Sequence, residues 1–177
     1  RPYSRASIHN WFVGRALDVL RPGGLVCFIT STYFLDESDA GMRAHVASEA
    51  DLVTAFRLPS GTFERIASTS VQADLVVLRK RAPGEAAAPA EWLDLDYVPK
   101  PMLREGCHEQ YLRINRWLVR HPQHVLGRID RVSNGFQAVP TAMLDGDLES
   151  ALLSAQALVP HGVYSVQPTA QAKVPRD

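Results

Sequence analysis

Three short apolar runs constrain this chain more than anything else in it: GLVCFIT at 24–30, DLVTAFRLP at 51–59 and VQADLVVLRK at 71–80. Each is bounded by turn residues and reads as a strand. The first is continuously apolar, as expected of a strand buried on both faces in a parallel sheet, and its Cys27 reads as a small buried hydrophobe. What lies between the runs limits how they can be joined. DAGMRAHVASEA at 39–50 has helical character, with Ser38 or Asp39 placed to cap it, so the first two runs belong to an α/β unit. The connection from Leu58 to the third run carries no helix, so the last two runs could pair as a hairpin with a long tip. A parallel sheet that ends in an antiparallel hairpin is a mixed α/β sheet.

The segments around these runs are weaker. SIHNWFVGRALDVL at 7–20 sets Ile8, Trp11, Phe12, Ala16, Val19 and Leu20 at helical spacing behind a possible Ser7 cap, and RPGG ends it. STYFLDES reads as a loop. APGEAAAPA at 82–90 reads as a linker, which divides the chain into 1–81, a small α+β extension at 91–164 and an unpacked, disordered tail at 165–177. Within the extension, EWLDLDYV reads as an edge strand, QYLRINRWLVRHP as a short amphipathic helix, SNGFQAV as a turn and strand, and 147–158 as a helix capped by Asp147.

Composition excludes several classes. Of 177 residues 46% are hydrophobic, which suits a folded core rather than a disordered chain. Nineteen basic residues balance nineteen acidic ones, so any nucleic-acid surface has to be a local patch. No stretch approaches the roughly 18 apolar residues of a membrane span. Two cysteines without metal spacing suggest a reducing compartment, the cytoplasm. The first residue is Arg1, and the chain reads as a piece of a longer one.

The candidate site residues cluster near the strand ends. Thr30 and Ser31 follow the first run, and open α/β sheets bind ligands beyond the carboxyl ends of their strands. Their hydroxyls either line such a pocket or satisfy local backbone groups. Arg5, Arg57 and Arg65 are candidates for phosphate contacts, or solvated surface charge. Phe63 is a lone large aromatic in the polar loop LPSGTFERIASTS, where it either anchors the loop tip in the core or offers a flat apolar face. His121 and His124 have a proline between them and no clustered Cys or acidic partner, which favours a structural role over a metal site. No nucleophile elbow, phosphate-binding loop or zinc-protease motif is present, and there is no paired-carboxylate signature.

Two stretches, SIHNWFVGRALDVLRPGGLVCFITSTYFLD and DLVTAFRLPSGTFERIASTSVQADLVVLRKR, with the weaker RWLVRHPQHVLG and ALVPHGVY, resemble the DNA methyltransferases that modify the N6 amino group of adenine. The variety they look most like is built into large helicase–methylase polypeptides of mobile elements and phage defence. The resemblance implies a Rossmann-like sheet binding S-adenosylmethionine (SAM), with the three runs as its fifth, sixth and seventh strands. It implies DNA as partner, a helicase domain in the same polypeptide, and Phe63 stacking on a flipped adenine. The family's glycine-rich SAM turn and its Asn-Pro-Pro-Tyr/Phe motif are absent. RPY at 1–3 is not the latter, having no Asn and a single Pro. The expectation is therefore that an upstream half supplies those motifs and holds the SAM, and that the fragment is inactive alone. Two other readings stand beside it. One is a non-catalytic nucleic-acid-binding or scaffold segment of a helicase-related protein. The other is an amino-methylating enzyme acting on RNA or on protein glutamine side chains.

Overall fold

In the computed structural model, which describes residues 7–68, 71–107, 111–133 and 138–164, the first three runs form one sheet. β1 (Leu25–Ser31), β2 (Ala50–Arg57) and β3 (Ala73–Lys80) lie in the order β1-β3-β2, and β3 is antiparallel to both neighbours. The hairpin expected of the last two runs is present, with Arg57 opposite Asp74 at its loop end and Ala50 opposite Lys80 at its open end. The described part of its long connection holds a hydrogen-bonded turn at residues 59–63 and then a short helix, α4 (Glu64–Ala67), where the sequence suggested none.

Two helices cover one face. α1 (Ile8–Val19) buries Asn10, Val13, Gly14 and Leu17, and α3 (Gly41–Glu49) buries Arg43 and Val46. The cap expected of Ser38 or Asp39 is not formed: α3 starts behind Ala40, which makes no side-chain cap bond, and Asp39 instead closes a local turn by accepting from the Gly41 backbone N–H at 2.8 Å. The connection after β1 contains a further helical turn, α2 (Tyr33–Asp36), where the pattern suggested only loop; Phe34 and Leu35 are buried there. Beneath these helices Val76 and Leu78 of β3 are fully buried. Each such side chain contributes roughly 1.5–3 kcal/mol through the water it sheds.

The expectation that β1 is buried on both faces fails. Cys27 is exposed, as is Ile29, because β1 is the terminal strand of the sheet and nothing among the described residues covers its outer face there. A continuous apolar run reports hydrophobic residues on both faces. It does not report whether this chain supplies both covers.

The segment after residue 90 packs onto the sheet rather than standing apart. One apolar cluster joins Val13, Phe34, Val46 and Val76 to Trp92, Ile114, Leu118 and Ile129. Two small antiparallel sheets build this part: β4 (Leu95–Tyr97) with β5 (Arg113–Asn115), and β6 (Arg128–Ser133) with β7 (Ala138–Met143). The amphipathic helix expected over QYLRINRWLVRHP is divided. Arg113–Asn115 pairs with β4, and only α5 (Arg116–Arg120) is helical, because the Asn115 side chain accepts from the Trp117 N–H and fixes the helix start there. α6 (Leu148–Gln156) starts at Asp147 as expected, its carboxylate accepting from Ser150 N–H. Gly127 is obligatory: its φ is +126°, and a Cβ there would collide with the Met143 backbone. The overall class is mixed α/β with small antiparallel sheets; a Rossmann-like sheet is not what the described residues form. The expected tail at 165–177 lies outside them.

Candidate functional site

A buried charged cluster sits at the loop end of the hairpin. Arg57 closes β2, Asp74 opens β3 directly opposite, and Asp36 ends α2 above them. The Arg57 guanidinium donates through Nε to Asp74 Oδ1 and through Nη2 to Asp74 Oδ2, both at 2.9 Å. Its Nη1 lies 2.7 Å from Asp36 Oδ2. Arg57 and Asp74 have no exposed side-chain surface, and Asp36 has little. Burial alone would depress the Arg57 pKa, but the two carboxylates overcome it and hold the guanidinium charged more firmly than in water. For Asp74, loss of water pushes the carboxyl upward and the guanidinium opposes that push.

This cluster ties the sheet to the rest of the chain. The other oxygen of Asp36 accepts from the Asn115 backbone N–H at 2.8 Å. The buried Asn115 amide donates to the carbonyls of Leu35 and Trp92, both at 2.8 Å. The Arg57 carbonyl accepts from Leu126 N–H, so β2, the turn after β1 and the extension meet at one point. Beside it lies a ring cluster. His124 stacks on Phe56 at 4.7 Å between centroids, and Trp117 meets His124 edge-on while stacking on His121. Burial, with the neighbouring His121, lowers the His124 pKa below the ordinary histidine value.

The sequence-expected site residues fall in different places. Arg57 is not at a surface: both faces of its guanidinium edge are taken by carboxylates, and no phosphate can reach it. Arg65 belongs to α4, with its side chain outside the described set, and Arg5 lies outside the described residues altogether. Phe63 is partly buried and packs against a second apolar cluster of Phe56, Leu58, Ala73, Leu126 and Ala155. Ser31 Oγ accepts from Tyr33 N–H, a local turn bond. Thr30 is buried, and its hydroxyl has no hydrogen-bond partner. It lines a cleft of about 420 Å³ with Ile8, Phe12, Phe28, Ile29 and Ser31. The triad partners Asp36 and Asp74 went unnoticed in the sequence. The signal for Asp74 was an Arg and an Asp at the facing, loop-proximal ends of two strand runs whose centres are apolar; Asp36 left none. Among the described residues no three of His, Cys, Asp and Glu converge as a metal centre requires.

Most of the arginines whose partners are described face carboxylates. Arg79 meets Glu85, Arg81 meets Asp51, Arg104 lies by Asp130 and Asp145, Arg116 by Asp94 and Asp96, and Arg120 by Glu91. A phosphate track needs positive charge that is not already neutralised.

The chain is similar to Defense against restriction protein B of Escherichia phage P1. The two are 34% identical over 89 residues, which is 49% of this chain and 4% of the phage protein. The chain therefore spans a small part of its relative's length. No family model matches, and no solved structure matches.

The expected membership among N6-adenine DNA methyltransferases is overturned by this relative, a restriction-defence protein rather than a methyltransferase. The stretches that carried the resemblance were apolar strand runs and one loop aromatic. Sheet burial demands such runs whatever the chemistry, and the aromatic has turned out to pack against the chain's own core. SAM, adenine and a helicase neighbour were expected on that resemblance alone. Among the described residues no helix is long and apolar enough to cross a membrane.

Proposed function

We propose that this segment is a non-catalytic scaffold within a longer restriction-defence polypeptide. The observation that carries the reading is the buried Asp36–Arg57–Asp74 cluster. The end of a sheet where ligand chemistry would ordinarily sit is occupied beside β2 by a buried guanidinium held between two carboxylates. The cluster spends its hydrogen bonds joining β2 to α2 and to Asn115 of the extension. The similarity to the phage P1 protein supports the restriction-defence role. The paired arginines support a scaffold over a nucleic-acid track, and contact with DNA then falls to other parts of the polypeptide.

The test is a plating assay. A phage supplying the full polypeptide is plated on restricting and non-restricting hosts, with wild-type segment, Asp74→Ala, or the pair Thr30→Val and Ser31→Ala. The expected result is loss of protection with Asp74→Ala on the restricting host alone, and full protection with the hydroxyl pair. Loss of protection in the hydroxyl pair, with the segment still resistant to proteolysis, would mean that the sheet end binds or transforms something. Full protection from an Asp74→Ala segment that is proteolytically unfolded would remove the segment from the defence role.

A further inference from the structure

We propose that the free edge of β1 receives one additional uncharged β-strand, parallel to β1, from a longer polypeptide that contains this segment. The inference rests on the sheet edge and stands apart from the restriction-defence reading.

The two edges of the sheet are built differently. Along β2 the ladder carries a bulge between Leu52 and Thr54, Arg57 bridges to Val125, and α5 and the turn Pro122–His124 pack against the strand. That edge is twisted and covered, as protected edges are. β1 has none of these devices. It pairs with β3 in unbroken register over all seven residues, and among the described residues nothing pairs with its other side. It contains no charge and no proline, the usual guards of an exposed edge. Its outward backbone N–H and C=O groups call for a strand, since only extended backbone satisfies such a row.

The side chains around the edge specify the character of that strand. Ile8 and Phe12 of α1 are 74% and 55% exposed, and Ile29 of β1 is 59% exposed. All three line the cleft of about 420 Å³, whose lining contains no carboxylate, lysine or arginine. His9 is the one basic side chain in that lining, so a charged peptide finds at most a single imidazole there, whereas an apolar strand matches Ile8, Phe12, Phe28 and Ile29. The buried Thr30 hydroxyl, unpartnered at the same cleft, offers one further hydrogen bond. Direction follows from α1. Ile8 at the helix start lies at the cleft with Ser31, the last residue of β1. A strand leading into α1 ends at that same end of the sheet and therefore runs parallel to β1, with α1 as its right-handed crossover. The phage relative has chain to spare for such a strand, since the matched stretch is 4% of it.

The experiment compares the 177-residue chain with the same chain preceded by a seven-residue strand of alternating Val and Thr. Amide hydrogen exchange is read residue by residue, with sedimentation to establish the monomer. In the bare monomer the outward amides of β1 should exchange fast, and the added strand should slow them by at least roughly tenfold, the mark of a newly closed ladder. Ile29→Lys in the extended chain should restore fast exchange. Val19→Lys, at a site 69% exposed and not part of the cleft, should leave the slowing intact and guards against a general loss of fold. Three results overturn the proposal: outward β1 amides in the bare monomer as slow as those of β3, slowing that appears only as the bare chain dimerises, or no change on adding the strand. The second of these assigns the edge to another copy of the chain.

Discussion

Removing one carboxylate from the buried cluster should destabilise the chain far more than removing the whole ion pair. In Asp74→Ala the Arg57 guanidinium keeps Asp36 at 2.7 Å but loses both hydrogen bonds to Asp74, and it has no exposed surface through which water could replace them. Breaking a buried pair by deleting one partner costs about 3–5 kcal/mol, because the remaining charge stays in a medium that solvates it poorly. For a domain of this size each 1 kcal/mol moves the melting temperature by about 2–4 °C, so the shift is about 6–20 °C. The double variant Arg57→Met with Asp74→Leu removes both charges and fills the space with apolar atoms of similar volume. It should recover most of the loss, since apolar replacement of a buried pair is often neutral. Asp36 is the complication. It loses its guanidinium but keeps the Asn115 N–H and a partly exposed side chain, so water can take up part of its charge. Urea unfolding of the two variants and the wild type measures both quantities, provided the slope with denaturant stays constant. An Asp74→Ala loss below about 1 kcal/mol, the range of an exposed pair, would refute the claim that this cluster is sealed from water.

Three further outcomes follow from the same geometry. The lowered His124 pKa means that the folded chain binds a proton less readily than the unfolded chain; the stability this provides is full above the ordinary histidine value and falls as pH drops through it. Melting temperatures from neutral to mildly acid pH should show that fall, and His124→Phe, which preserves the stack on Phe56, should flatten it. Phe63→Ala should cost about 2 kcal/mol in urea unfolding, roughly half the value for a fully buried phenylalanine, while Ile66→Ala at an exposed site next to it should cost almost nothing. Asn115→Ala should cost about 2–4 kcal/mol, because the carbonyls of Leu35 and Trp92 lose their donor and α5 loses its cap; a loss within 0.5 kcal/mol, as for an ordinary surface change, would contradict the buried bonding.

The parts of this fold that were legible in the sequence are those fixed by short-range rules. Three apolar runs became three strands, and the connection without a helix became the hairpin of β2 and β3. Asp147 stands where cap chemistry places it. The failures share a cause. The pattern over 110–122 has helical spacing, yet pairing with β4 claims Arg113–Asn115, because a cross-strand ladder and the Asn115 cap outweigh weak periodicity. Cys27 sits in a run that looks buried from both sides, but burial depends on which neighbours exist, and no local pattern reports that. For the site, Arg57 in isolation looked like a phosphate contact. Its character was decided by Asp36 and Asp74, 21 residues before it and 17 after it, which only the folded register brings together.

The two edges of the sheet then separate what this chain completes from what it leaves open. At β2 the charged cluster, the ring stack on Phe56 and the Leu126 N–H to Arg57 carbonyl hydrogen bond cover the strand from within the chain, and the extension is held there by several independent contacts. At β1, among the described residues, an unguarded ladder and exposed Ile8, Phe12 and Ile29 remain unmatched. An edge meant to face water is ordinarily given lysine, proline or a bulge, because a bare apolar edge invites aggregation. This sequence places a bulge on the covered edge and none on the open one. That asymmetry is hard to reconcile with a chain selected to stand alone, and it follows directly if β1 is an internal strand of a wider sheet. Placing lysine at Ile29 should therefore make the isolated chain more soluble while disabling the longer polypeptide. An equal or greater loss of solubility in the isolated variant would instead show that Ile29 is part of this chain's own packing.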